Sequence, residues 1–338
     1  MATLSPALTP GVSAQTLALA FNELAALQRA GVRLDDSLEQ AAGAGPLHFR
    51  QALEGLAAYV RAGHPLAEGM RSYGALFHPV IPAIVGAGEQ TGNLDTSFAL
   101  LSQFFESEAQ LRRVIQSASI YPVTVAVVAI LIVFLLNIIK IPIGDHMESI
   151  LPVTWAIVLL WILAFVAAIW FLLRFRSMQQ VARYVMMAVP FFGGIMHELA
   201  VSRFCQTFGL FIRAGIPYLE GLQISMGVAQ HPAVEQAVRY VYASVRNGIP
   251  IEEAIRSQSA FPKMVRSLVG AGEVAGTLDE SFLKAAQFLR QEAEQKIRNS
   301  SKMAGPVMTI IIGIIVGLIV IQFWGHIWQA EMSIGDDS

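Results

Sequence analysis

An all-α membrane protein, with two repeated six-helix cytoplasmic bundles and three transmembrane helices, is the fold class this sequence predicts, and three observations predict it. Charged residues make up only 14% of the 338, against about 25% in ordinary globular domains. The apolar excess gathers in three long uncharged stretches instead of spreading along the chain. A thirteen-residue block occurs twice, 184 residues apart.

The first element expected is a helical domain over residues 1–118. Apolar residues recur there at spacings of three and four, the helical period, with few β-branched alternating runs. Six helices follow from that pattern: Val12 to Arg29, Leu34 to Ala42, Leu47 to Arg61, Leu66 to Tyr73, Pro79 to Gln90, and Leu94 onward. Gly31, Gly63 and Gly92 punctuate them, and Asn93 or Thr277 suits the cap of the following helix. Leu94, Phe98, Leu101 and Phe105 form one apolar stripe on the last helix, matched in the second copy by Leu278, Phe282, Ala285 and Leu289. Each stripe is expected to pack on its own bundle. No Lys or Arg precedes Arg29, so the basic n-region of a cleavable signal peptide is lacking and insertion falls to an internal segment.

The spans come next. Residues 119–139 contain the run from Val123 to Ile139, polar only at Thr124 and Asn137. Residues 153–173 carry no charge and are long enough to cross about 30 Å of hydrocarbon at about 1.5 Å per residue. Residues 304–324 are uncharged too, and Trp324 and Trp328 suit an interfacial aromatic belt. Arg112 and Arg113 precede the first span, Arg174 and Arg176 follow the second, and Lys296, Arg298 and Lys302 precede the third. The positive-inside rule makes all three groups cytoplasmic. The loop 140–152 sets Lys140 against Asp145 and Glu148, and the tail 325–338 carries acids without Lys or Arg, so both are periplasmic. A second helical domain, 174–303, shares the cytoplasmic side with the first.

The repeat supports that layout independently. Gly86 to Phe98 reads GAGEQTGNLDTSF and Gly270 to Phe282 reads GAGEVAGTLDESF, with nine of thirteen positions identical. The same register pairs Arg29 and Gly31 with Arg213 and Gly215, Phe77 with Phe261, and Pro122 with Pro306. Arg61, Gly63 and Pro65 match Arg246, Gly248 and Pro250 one residue out of that register, a shift later undone, as loops allow. Two copies on one side of a membrane need an even number of crossings between them. The second span supplies the return, and the repeats are parallel.

The residues singled out lie in the repeated turn: Gly88, Glu89, Gly92 and Leu94 in the first copy, and Gly272, Glu273, Gly276 and Leu278 in the second. The small residue before each Glu lets helices approach, and the later Gly turns the chain. Each carboxylate is read first as an acceptor for backbone N–H groups or an Arg that holds the turn, since buried charges are paired. A partner interface or metal site is the other reading. Asp95 and Asp279, in a first helical turn, suit the helix dipole. No catalytic residue, cofactor or metal site is assigned. A Gly-Lys-Ser/Thr phosphate loop is missing, and His197-Glu198-Leu199 lacks the second His of a metalloprotease. The seven His are scattered and read as surface or loop residues, and Cys205 reads as core. With 23 basic and 25 acidic residues there is no footprint for nucleic acid. Asn137 and Gln322 are too few intramembrane polar groups to line a path, although a small transporter with parallel repeats is the rival class.

The twice-occurring Gly-Glu-x-x-Gly-x-Leu block, the Arg-Ala-Gly-Val/Ile block and the three spans resemble the type II secretion system protein F family over nearly the whole chain. That resemblance implies a non-enzymatic inner-membrane platform of type IV pilus or type II secretion machines. It implies coupling of a cytoplasmic hexameric ATPase to insertion or extraction of pilin or pseudopilin subunits, with other inner-membrane assembly proteins and the lipid bilayer as partners. A homo-oligomer is implied too. The N-terminus is then cytoplasmic and the C-terminus periplasmic. The first helix begins within about a dozen residues, a short form that resembles type IVb pilus members.

Overall fold

The computed structural model describes residues 12–74, 76–138 and 190–300, with single helical positions at Pro306, Ile310, Gly313, Gly317 and Trp324. All regular structure among them is helical. The first segment holds α1 (Ala14–Arg29), α2 (Leu34–Ala41), α3 (Leu47–Arg61), α4 (Leu66–Ser72), α5 (Val80–Thr91) and α6 (Leu94–Ile138), with one 3₁₀ turn at Ala42–Ala44. The second holds α7 (Pro190–Arg213), α8 (Tyr218–Ala229), α9 (Pro232–Arg246), α10 (Ile251–Arg256), α11 (Lys263–Ala275) and a last helix, α12, over 278–300.

Local chemistry sets the helix ends. Helix α1 starts at Ala14, two residues after the expected Val12, because Ser13 is its cap: the Ser13 Oγ accepts from the Thr16 N–H at 3.0 Å. Pro79 likewise stands before α5 as its cap, so that helix begins at Val80. Pro232 occupies the first turn of α9, where a missing N–H costs nothing. Helix α3 runs from Leu47 to Arg61 as its periodicity predicts.

The chain divides into two compact units, one of residues 1–112 with 170–293, the other of 113–169 with 294–338. The first unit contains both copies of the repeated block. Its apolar interior forms two clusters. One gathers Phe21, Phe49, Phe77, Phe98, Leu101 and Phe105. The other gathers Phe204, Phe208, Phe261, Phe282, Ala285 and Leu289. The two stripes expected on the final helices therefore do line these interiors. The first cluster also takes in Leu210, Phe211, Ile216 and Val228 from the second segment, which periodicity within one copy does not foresee.

A serine hydrogen bond joins the first and last helices of each segment, and its direction is reversed between them. Ser102 Oγ on α6 donates to the Ala18 carbonyl at 3.0 Å. Ser202 Oγ on α7 donates to the Ala286 carbonyl at 2.7 Å. Residues 18 and 102 correspond to 202 and 286 in the 184 register, so the same two sites are tied with donor and acceptor exchanged.

Among the residues whose side chains are described, no helix is long and apolar enough to cross a membrane. The expected span 153–173, the loop 140–152 and the tail 325–338 lie outside the described residues, as does all but a few positions of 304–324. Of 119–139 the backbone is helical to Ile138, as part of the 45-residue α6.

Candidate functional site

The repeated turn lies where α5 passes into α6 and where α11 passes into α12. Gly92 and Gly276 close α5 and α11 with left-handed backbones, each at φ +70°, a region an L side chain enters only at a cost of about 1–2 kcal/mol. Each helix then ends in a reversed hydrogen bond. The Asn93 N–H reaches the Gly88 carbonyl at 2.9 Å, and the Thr277 N–H reaches the Gly272 carbonyl at 2.8 Å.

Gly88 and Gly272 are required by space. A Cβ on Gly88 would lie 2.3 Å from Ser97 Oγ and 3.2 Å from the Asn93 carbonyl oxygen. On Gly272 it would lie 2.2 Å from Ser281 Oγ and 3.1 Å from the Thr277 carbonyl oxygen. Each glycine lets the following helix fold back against the one that carries it. Leu278 is buried in the second cluster, and Leu94 is half-buried against the first.

With that fold-back fixed, the adjacent carboxylate reaches a third helix. Glu89 Oε1 accepts the Leu66 N–H at 2.6 Å, and its Oε2 accepts the Ala67 N–H at 3.0 Å. Glu273 does the same at α10, accepting from Ile251 at 3.1 Å and from Glu252 at 2.6 Å. Both oxygens of each carboxylate are thus taken by the first two N–H groups of a short helix. Those groups have no partner within their own helix, and a negative charge suits that end. Pro65 and Pro250, at the cap positions, carry no side-chain acceptor, so the glutamate supplies from a distance what a Ser or Asp cap supplies locally. The donors are backbone N–H groups, and they belong to α4 and α10, not to the turn that follows each glutamate.

The repeat-turn arginines also join the site. Arg213 donates to Asp279 at 3.0 Å, and Arg29 stands 3.9 Å from Asp95. Asp95 and Asp279, expected to serve the helix dipole, also tie the end of the first helix of each segment to the start of the last. Gly31 and Gly215 follow those arginines at φ +77° and +78°. The site in each segment joins first helix, short helix, motif helix and last helix.

Among the described residues no group of three or more His, Cys, Asp or Glu is placed to hold a metal ion. Cys205 is buried in the second cluster, where desolvation pushes its thiol far above the usual range. His197 is not the surface or loop residue expected. It lies on α7, bonds the Ala260 carbonyl at 2.7 Å and meets His231 edge to face at 5.2 Å. Burial, and then the His197 charge, holds the pKa of His231 below its ordinary value.

A buried ionic cluster between the two segments lies outside the motifs singled out from sequence. Glu108 on α6 accepts from Arg290 on α12 at 3.1 Å and stands 3.8 Å from Arg203 on α7, while Arg290 also donates to Gln206. All four residues are buried. The signal available in the sequence was an Arg and a Gln among apolar residues on α7, at positions where the two copies do not match.

The family model for "Type II secretion system (T2SS), protein F" matches the chain twice, over residues 20–142 and 204–323. The two matches begin 184 residues apart, the period of the motif. A type IV pilus assembly protein PilC of Thermus thermophilus is 29% identical, over 93% of this chain and 82% of its own length. A type II secretion system protein F of Pseudomonas aeruginosa is 28% identical, over 96% and 85%. A type IV pilus assembly protein TapC of Aeromonas hydrophila is 27% identical, over 94% and 82%. With each half matched separately and such relatives aligned almost end to end, the chain belongs to the type II secretion system protein F family.

Proposed function

We propose that the chain is a non-enzymatic inner-membrane platform of a type IV pilus or type II secretion machine. In this reading it couples a cytoplasmic hexameric assembly ATPase to insertion or extraction of pilin or pseudopilin subunits, beside other inner-membrane assembly proteins and as a homo-oligomer. Residues 1–118 and 174–303 are then cytoplasmic domains, and 119–139, 153–173 and 304–324 are the spans. The basic residues flanking those stretches support this orientation, with the N-terminus cytoplasmic and the C-terminus periplasmic.

One observation carries the mechanism: α6 is a continuous helix of 45 residues from Leu94 to Ile138. It begins at the Gly92 turn, is anchored through Asp95 to α1, and runs on into the apolar stretch. A helix of that length spans about 67 Å at 1.5 Å per residue. In this reading, movement of the bundle at its start passes along the helix backbone toward the apolar stretch, past Pro122, which donates no ladder bond. Glu89 and Glu273 tie the helices that lead into such rods to α4 and α10, so they act as positioning residues.

Affinity purification of the full-length chain from its host membranes in mild detergent, with mass spectrometry of what stays bound, tests the proposal. Recovery of a hexameric assembly ATPase and pilin-like subunits is expected, and the subunit recovered distinguishes pilus from secretion system. Repeated recovery of a folded chain with neither overturns it. Glu89→Gln and Glu273→Gln are expected to lower thermal stability together with ATPase recovery. Loss of ATPase recovery at unchanged stability would instead make the turns contact surfaces.

A further inference from the structure

The two segments meet through unlike faces, and each leaves its other face open. On the first segment, α6 presents Leu100, Phe104 and Glu108, all buried, and Glu108 makes the ionic contact with Arg203 and Arg290 of the second segment. On the second, α7 presents Arg203, Gln206 and Leu210, also buried. The α6 face thus meets the first helix of the second segment and, at Arg290, its last helix as well, and the matching faces of α1 and α12 are not part of the contact. Such a contact is heterologous, and repeating it adds further subunits until a ring closes or a filament grows.

The matching residues 184 positions away are exposed. Leu100 and Phe104 correspond to Lys284 and Phe288 on α12, and Phe288 is 51% exposed where Phe104 is buried. Arg203, Gln206 and Leu210 correspond to Leu19, Asn22 and Ala26 on α1, all exposed, with Leu19 at 57%. Two of the large exposed apolar side chains of this unit therefore sit on the two faces that the internal contact leaves open. Glu23 lies beside Leu19 on α1, and Lys284, paired with Glu280 at 3.4 Å, lies one turn before Phe288 on α12, while Glu292 and Glu106 stand at the places of Glu108 and Arg290.

We infer that the α12 face around Phe288 is a docking surface for the α1 face around Leu19 and Asn22 of a second copy of this chain, repeating between chains the contact made within one. The inference deepens the homo-oligomeric part of the proposed function and does not depend on the identity of the ATPase or of the assembled subunit. The contact between copies lacks the ionic cluster, since Leu19 stands at the place of Arg203 and Glu106 at that of Arg290. It is consequently the more separable of the two.

Full-length chains bearing Asn22→Cys on one affinity tag and Phe288→Cys on another, co-expressed in membranes and treated with a short bismaleimide, test this. The native Cys205 is buried and stays unreactive. A mixed-tag adduct is expected, with its loss when Phe288→Cys is replaced by Val274→Cys, a 90% exposed position off this face. Leu19→Glu is expected to abolish the adduct, and Phe288→Glu, in chains without added cysteines, to release single chains in detergent. Absence of the mixed adduct, although a monofunctional maleimide labels both cysteines, overturns the inference. So does predominance of adducts joining Asn22→Cys to itself. ATPase recovery from the same membranes reads the machine assignment separately, so failure of one conclusion is not mistaken for failure of the other.

Discussion

Set side by side, the two helical segments share the ties gathered at the repeated turn and differ at positions where one segment meets the other. The glutamate that caps the short helix, the glycine that admits the following serine, the left-handed glycine and the Arg–Asp tie all recur at one register. The positions at or corresponding to the contact between segments diverge: Leu19 against Arg203, Asn22 against Gln206, Leu100 against Lys284. Duplication supplied one scaffold twice, and each copy then met a different neighbour. The difference between matching positions therefore reports what each surface touches, and substitutions at matching pairs are the means to test it.

The largest difference is expected at Glu108. It is buried with Arg203 and Arg290 beside it, so Glu108→Gln removes the carboxylate that these two buried guanidinium groups share. Breaking a buried pair from one side costs about 3–5 kcal/mol. The matching Glu292 is only half-buried, and Glu292→Gln is expected to cost about 1 kcal/mol or less. Denaturant unfolding of the two variants of the full chain in detergent reads the contrast. Equal losses would mean that the cluster does not join the segments. A triple change of Glu108→Leu, Arg203→Met and Arg290→Met sharpens it, because an apolar replacement of similar volume recovers most of the loss.

At the capping glutamates the expectation is equality. Glu89→Gln and Glu273→Gln each turn one N–H acceptor into an amide NH₂ that faces a donor. Each is expected to cost about 1–3 kcal/mol. Because the bonds made are the same two N–H groups in both segments, the two variants should shift the unfolding midpoint alike. A stability loss confined to one of them would show that only that segment relies on its cap.

How much of this was legible in the sequence follows the same division. Helix boundaries were readable because local chemistry writes them: Gly92 and Gly276 mark left-handed ends, and α3 follows its periodicity residue for residue. The misplacement of α1 by two residues came from Ser13, whose capping role outweighed the apolar Val12. That the carboxylate of the motif could accept backbone N–H groups was readable. That it reaches the start of α4 or α10 was not, because Glu89 and Leu66 are 23 residues apart and nothing local links them. The Glu108 cluster was hidden for a stronger reason, since its bond to Arg290 joins residues 182 apart. Only the mismatch between copies points to it, and mismatch says that a surface differs without saying what it meets.

The smallest expected effect is electrostatic and belongs to the first segment. Asp35 at the start of α2 bonds Arg33 at 3.0 Å and Arg61 at 3.0 Å, while Arg61 also reaches Glu39 at 2.7 Å. The bond from Arg33, then that from Arg61, holds the Asp35 carboxyl below its ordinary value of 3.8. A carboxylate whose folded pKa is depressed stabilises the fold fully above its unfolded pKa, and that contribution is lost as pH falls through the folded value. The first segment should therefore lose stability below about pH 4, and Asp35→Asn should flatten that acid limb while leaving the neutral-pH slope unchanged. In the second segment the corresponding residues are Pro217, Leu219 and Gln223, and of the four only Arg246 remains, one residue out of register. Leu219→Asp supplies a carboxylate with one arginine in place of two, so it should create an acid limb shallower than that of Asp35. If Leu219→Asp produced an equal limb, the Arg33 bond would add nothing and the depression would come from the arginine at the end of the third helix alone.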